Sequence, residues 1–183
     1  IMNTSFTMVS ICAALLMVIF LLFAKPILVL FGASENALPY ALPYLMIYVL
    51  GTFPSMVTTG MNPFINAQGY ATTGMLSVII GAVANLLLDP LFIFFFDMGI
   101  QGAAIATVLS QIFSAIFVLR FLRFRAEYRV RFLKKSEFSE GIVLAGNIAS
   151  LGTAGFIMQL TNSLVTICCN NILATTGGDL YVS

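Results

Sequence analysis

The sequence predicts an all-α, polytopic membrane protein of about five transmembrane helices, and three observations carry that prediction. Hydrophobic residues make up 60% of the chain and charged residues 8%, with a mean hydropathy of +1.04; a soluble domain carries roughly a quarter of its residues as charges. Too few polar residues remain to coat a water-soluble core, so a bilayer has to solvate part of the surface. The apolar residues also come in uncharged runs rich in Leu, Ala, Ile and Met, without the alternation of barrel strands. At about 20 residues per span plus short connections, this length allows roughly five or six crossings.

The first span is read over 3–24, where no charge interrupts the run and Lys25-Pro26 supplies an interfacial stop. Residues 25–39 hold Gly32, Ser34, Glu35, Asn36 and Pro39 and read as a loop or an interfacial half-turn. A second span follows over 40–60. Asn62-Pro63, Asn66 and Gly69 then break the apolar pattern before a third span over 75–96. The connection 97–102 is short enough to force the fourth span, 103–119, to return antiparallel beside the third as a helical hairpin. From 141 to 178 the chain is again uncharged, long enough for a fifth span, with a turn expected at Gly177-Gly178-Asp179.

Charge matters by position, because the net charge is only +1. Seven of the eight basic residues (Arg120, Arg123, Arg125, Arg129, Arg131, Lys134 and Lys135) fall between 120 and 135, so the segment 121–140 is expected on the cytoplasmic side of a cell membrane. Alternation then puts the start of span one, the 61–74 connection and the start of span five inside, and 25–39 and 97–102 outside. A basic linker beside a span is membrane topology, and no nucleic-acid partner is expected. The chain has no His to act as a metal ligand or proton shuttle. Cys12, Cys168 and Cys169 sit in apolar stretches without CxxC spacing and read as packing residues. No basic n-region and small-residue cleavage site precede the first span, and the chain reads as a piece of a longer polypeptide whose remainder is one of its partners.

The spans carry polar and small residues at helical spacing, which lipid-facing surfaces tolerate poorly. Gly74, Ser77, Gly81, Asn85 and Asp89 follow one another at steps of three and four on one face of span three. Comparable stripes are Tyr44, Tyr48, Thr52 or Ser55, and Thr59 in span two; Ala103, Thr107, Ser110 or Gln111, and Ser114 in span four; and Gln159, Ser163, Thr166 and Asn170 in span five. Taken singly, such residues are packing contacts. Four stripes together point to a shared polar cavity, with Tyr48, Ser55, Gln111, Gln159 and Asn162 as candidate lining residues for a small organic substrate.

Asp89 is the sharpest signal. An ionisable group in hydrocarbon costs at least about 2.5–3.5 kcal/mol on insertion scales unless it faces a cavity or a partner, and no Lys or Arg lies in any span. Counted from Gly99 across the hairpin, Asp89 and Thr107 lie at similar depth. Pro90 removes the hydrogen bond that the Leu86 carbonyl would otherwise accept, freeing a backbone oxygen near Asn85. Carboxylate, amide oxygen, hydroxyl and carbonyl form an all-oxygen set suited to a hard monovalent cation, or to a proton held on the carboxyl. Asp97 is read as a solvated turn residue.

The run GMNPFINAQGYATTGMLSVIIGAVANLLLDPLFIFFFDMGIQGAAIATVLSQ resembles the multidrug and toxic compound extrusion (MATE) family. The NPFINAQG loop, the GAxxNxxLDPLFIF helix and the GxxGAAIATVxSQ entry stand in the family's order and spacing; LLFAKPILVLFGAS and ATTGGDL extend the resemblance to both ends. It implies helices three to seven of a twelve-helix, two-lobe antiporter: 1–120 the C-terminal part of the first lobe, 121–140 the inter-lobe loop, and 141–183 the first helix of the second lobe. It also implies a cation site at Asn85, Asp89 and Thr107, with a first-helix acid outside this chain, Na+ or H+ as coupling ion, no cofactor, and a kink at Pro90. Some branches carry a Glu on the seventh helix, where the nearest residue here is Gln159. The implied activity is cation-coupled export of drugs or other amphipathic organic compounds. The alternative is a lipid-linked oligosaccharide flippase or polysaccharide exporter, against which the absence of basic residues in the spans counts. Without His or paired carboxylates in the membrane, an enzyme is not expected.

Overall fold

The computed structural model describes residues 1–31, 37–132 and 138–177, which exclude Glu35, Asn36, Lys134, Lys135 and the Gly178-Asp179 turn. Among the described residues the structure is all-helical: α1 (Met2–Leu22), α2 (Ala24–Leu30), α3 (Leu38–Leu50), α4 (Thr52–Ala67), α5 (Ala71–Pro90) with a π-helical turn (Leu91–Phe95), α6 (Gly99–Phe124) and α7 (Phe138–Gly177). Four stretches are long and apolar enough to cross a membrane: Met2–Leu22, Ala71–Phe95, Gly99–Phe124 and Val143–Cys169. The bent pair α3–α4 is together long and apolar enough to make a fifth.

Several boundaries differ from the sequence reading for local reasons. Residues Ala24–Leu30 are helical rather than loop, since a proline in the first turn lacks only an N–H that has no helical partner there. The second span is longer than 40–60 and bends by 46° at Gly51. Pro54 has no N–H for the Leu50 carbonyl, while Gly51 donates to the Tyr48 carbonyl at 2.9 Å, a tightened turn. The helix does not break at Asn62-Pro63. It continues to Ala67 because Met61 and Ile65 are fully buried on either side of the proline. It ends at Gly69, which takes φ 86° and donates to the Asn66 carbonyl while Tyr70 donates to that of Ile65, the hydrogen-bond pair of a Schellman cap. At the other end of α5 the chain reverses through Asp97 (φ 52°) and Gly99 (φ 54°).

The predicted hairpin is present. α5 and α6 run antiparallel, with Ser77 and Gly81 near Ser114, Asn85 near Thr107, and Phe92 against Gly102. α6 continues past 119 to Phe124 because Leu122 is fully buried. The apolar core sits at one end of the bundle, where Phe6, Val57, Met61, Ile65, Val118 and Leu122 pack with Ala126 and Val130. The basic segment is tied to this end. Tyr128 N–H donates to Gln68 Oε1 and Arg131 N–H to Asn3 Oδ1, both at 3.0 Å. The start of span one, the 68–70 turn and the basic segment thus share one end of the molecule, as alternation requires.

Helix α7 is forty residues long and packs against α1. Its residues 151–162 are exposed.

Candidate functional site

The candidate site is built where α3, α5 and α6 approach. Asn85 and Asp89 lie four residues apart on α5, so their side chains stack on one face. Asn85 Nδ2 donates to Asp89 Oδ1 at 3.2 Å and reaches Thr107 Oγ1 on α6 at 3.5 Å. Thr107 donates its own proton to the Ala103 carbonyl at 2.9 Å, which leaves its oxygen lone pairs toward Asn85. The three residues expected to act together are therefore joined in one network, and all three are half-buried. The direct partner of Thr107 is Asn85 rather than Asp89, one turn deeper than the count from Gly99 gave. The π-helical turn and the 96–98 reversal use up residues that an ideal hairpin would place in the helices.

Pro90 ends the α-helical part of α5, and the chain widens at once into the π turn, with Phe96 N–H donating to the Leu91 carbonyl at 3.1 Å. Proline supplies no N–H to Leu86, so that carbonyl lacks its helical donor next to Asn85. The donor set fits a hard monovalent cation. The amide nitrogen of Asn85 now bridges the carboxylate and the hydroxyl; turning the amide over presents Oδ1 beside both oxygens and converts the bridge into three converging oxygen ligands. Among the described residues, no group of three or more His, Cys, Asp or Glu is placed to hold a metal ion.

Tyr44 of α3 is within electrostatic reach of Asp89. It appeared in the sequence only as one member of a stripe, and its proximity depends on the packing of α3 on α6. It stacks on Tyr48, with ring centroids 5.8 Å apart and planes at 16°. Tyr48 in turn lines a cavity of about 130 Å³ with Gly51, Thr52, Ser55, Met56 and Gln111. Three of the five expected lining residues, Tyr48, Ser55 and Gln111, therefore meet. Gln111 Oε1 is buried without a hydrogen-bond partner and lies where a side chain on Gly51 would go. Gln159 and Asn162 do not join them; they are exposed on α7.

A second polar cluster was not anticipated as such. Asn62 donates to Ser77 Oγ at 3.1 Å and to the Gly74 carbonyl at 3.2 Å; Ser77 donates to the Gly74 carbonyl at 2.7 Å, and Ser114 to the Ser77 carbonyl at 2.9 Å. In the sequence Asn62 reads as a helix breaker beside Pro63. Its role as a strap between α4 and α5 needs the third dimension.

Comparison with known proteins shows what the chain is similar to. The MatE family model matches residues 1–91. The chain is similar to Multidrug export protein MepA of Staphylococcus aureus, 27% identical over 163 residues covering 85% of this chain and 34% of that one. It is similar to the FAD transporter of Shewanella oneidensis, 28% identical over 159 residues, covering 84% and 34%. Protein DETOXIFICATION 43 of Arabidopsis thaliana is 34% identical over 111 residues, 59% of this chain and 21% of that one. The chain thus spans about a fifth to a third of the length of these curated relatives. Among solved structures, the inward-facing conformation of a multidrug resistance MATE family transporter of the MOP superfamily superimposes with a TM-score of 0.80 at 25% identity, over 99% of this chain and 41% of that one. A MATE structure in the bent conformation gives 0.74 at 25% identity, over 99% and 40%.

Proposed function

Since this chain belongs to the MATE family of membrane transporters, we propose that it works within a cation-coupled antiporter exporting drugs or other amphipathic organic compounds across the cell membrane. The Asn85–Asp89–Thr107 network is the observation that carries this reading. An ionisable group in a membrane helix whose hydrogen-bond partner is a single amide, itself shared with a hydroxyl, is expensive to keep unless an ion or proton uses it. Helices α1–α6 form the C-terminal part of the first lobe, the basic segment is the cytoplasmic inter-lobe link, and α7 opens the second lobe.

Coupling follows from differential affinity. With Na+ or a proton on Asp89, the Asn85 amide no longer needs to bridge to the carboxylate; without it, the bridge closes. The two arrangements load the α5 end and its π turn differently. A ligand that prefers one of them shifts the balance between inward- and outward-open forms. Tyr44 and Tyr48 connect this switch to the Gln111 cavity, where part of the substrate is received.

The test is dye efflux from drug-sensitive bacteria expressing the intact transporter, wild type against Asp89→Asn at equal membrane abundance, with Na+ present or replaced. Export by wild type and none by the variant supports the reading, and the Na+ dependence names the ion. Undiminished ion-coupled export by the variant overturns it. Similarity to a transporter named for FAD supports a second reading, a flavin dinucleotide as cargo. Flavin efflux measured in the same cells separates the two.

A further inference from the structure

At the end of the bundle that carries the 68–70 turn, α5 and α6 leave a groove of about 620 Å³ between them, within the range of small-molecule sites, roughly 300–1,000 Å³. Its lining divides by chemistry. Leu76, Phe117, Phe121 and Phe124 are apolar, and Arg120 and Arg125 carry the charge. Phe124 is 69% exposed and Leu76 42%, so the groove opens outward from the bundle. Among the described residues no carboxylate lines it, and neither arginine side chain makes a hydrogen bond or an ion pair, the Arg125 backbone N–H donating to the Phe121 carbonyl. Arg123, Arg129 and Arg131 line an adjoining hollow that adds to the positive field.

This composition selects its occupant. A soluble anion needs no apolar wall, and an apolar compound needs no pair of guanidinium groups. Arg120 lies one turn inside the end of α6, and Thr73 of the lining lies in the first turn of α5. The groove therefore straddles a membrane boundary, hydrocarbon on one side and headgroups on the other. Guanidinium groups bind phosphate in bidentate fashion, and basic pockets between membrane helices at the cytoplasmic boundary hold anionic headgroups.

We propose that this groove binds an anionic glycerophospholipid, with its phosphate between Arg120 and Arg125 and an acyl chain along Leu76, Phe117, Phe121 and Phe124. The assignment to the cytoplasmic leaflet rests on the orientation given under the proposed function.

The experiment is native mass spectrometry of the intact transporter in detergent, titrated separately with phosphatidylglycerol, phosphatidylethanolamine and inorganic phosphate. Phosphatidylglycerol is expected to stay bound. Arg120→Gln with Arg125→Gln should weaken it by about tenfold or more, while the double Lys variant, which keeps the charge but loses the bidentate fork, should weaken it less. Equal binding by the double Gln variant, or equal binding of phosphatidylethanolamine, overturns the proposal. So does displacement of the lipid by millimolar phosphate, which would mark a soluble-anion site. A photoreactive group carried on the acyl chain should label the α5–α6 hairpin; failure to label it means that another segment fills the groove, and the proposal falls. Orientation is read separately from Tyr128→Cys in a background lacking Cys12, Cys168 and Cys169. Labelling by an impermeant maleimide from the cytoplasmic side alone supports the leaflet, whereas labelling from outside alone overturns leaflet and orientation whatever lipid binding in detergent shows.

Discussion

Along the first half of α5, Gly74 and Gly81 present bare backbone to Asn62, Asn66 and Ser114, and Ser77 between them is fully buried; along the second half, Asn85 and Asp89 remain half-buried around a single amide bridge. Both halves use the same spacing and face the same neighbour, α6. They differ in what the polar atoms do. In the first half the hydroxyls have short bonds to fixed carbonyls, 2.7 and 2.9 Å, and the Asn62 amide nitrogen adds one at 3.2 Å, which ties α4, α5 and α6 together. In the second half the bridge from α5 to α6 is long, 3.5 Å, and Pro90 and the π turn follow it. A tight seam holds its geometry, whereas a long bridge beside an interrupted helix has two arrangements close in energy, as a switch needs.

That contrast can be broken by mutation, because the tight half should respond in stability and the open half in transport. Asp89→Asn should have the largest effect, lowering dye efflux by about tenfold or more, the loss expected when a differential affinity disappears. Its unfolding midpoint in detergent should stay near wild type; a collapse in stability would mean that the open half is structural. Leu122→Ala, in the fully buried core beside the tight half, should destabilise by about 2–5 kcal/mol, read from denaturant titration in mixed micelles. Little change there would remove the core from the account of what holds this end together.

Gly81→Val comes next, at about 1–3 kcal/mol. The added side chain meets the Ser114 hydroxyl and breaks its bond to the Ser77 carbonyl. An unchanged midpoint would show that α5 and α6 are not in close contact. Ser77→Ala should cost least, about 0.6 kcal/mol, the mean for interhelical hydrogen bonds in membranes, since Asn62 keeps its second acceptor at the Gly74 carbonyl. If Ser77→Ala instead abolished efflux at normal stability, the two halves would form one functional unit and the division drawn here would be wrong.

Much of the fold was legible in the sequence because the bilayer makes strong demands. Uncharged runs, the short 97–102 connection and the basic segment sufficed to predict five crossings and the α5–α6 hairpin. The misread places were those where polar or proline residues serve a helix instead of ending it. Pro63 forfeits one hydrogen bond yet stands between Met61 and Ile65, whose burial outweighs it, so α4 continues to Ala67. At Gly51 the bend comes from a proline three residues away, and its close neighbour is Gln111, sixty residues on. For the candidate site, the spacing of Asn85 and Asp89 put both on one face, and the count across the hairpin from Gly99 brought Thr107 to a similar depth, as the resemblance to a known family also implied. Tyr44 was visible only as a stripe member.

By itself, then, the sequence determined that this is a helical membrane protein, which stretches are apolar enough to cross, which faces are polar and which connection is basic. These are local properties, set by the cost of charge and unpaired backbone in hydrocarbon. Only the tertiary structure decided which polar faces meet. Pairing Asn85 with Thr107, bringing Tyr44 toward Asp89 and bonding Asn62 to Ser77 all depend on helix register and rotation. Those are fixed by where glycines let backbones approach and where a π turn shifts the count, contacts between residues far apart in the chain.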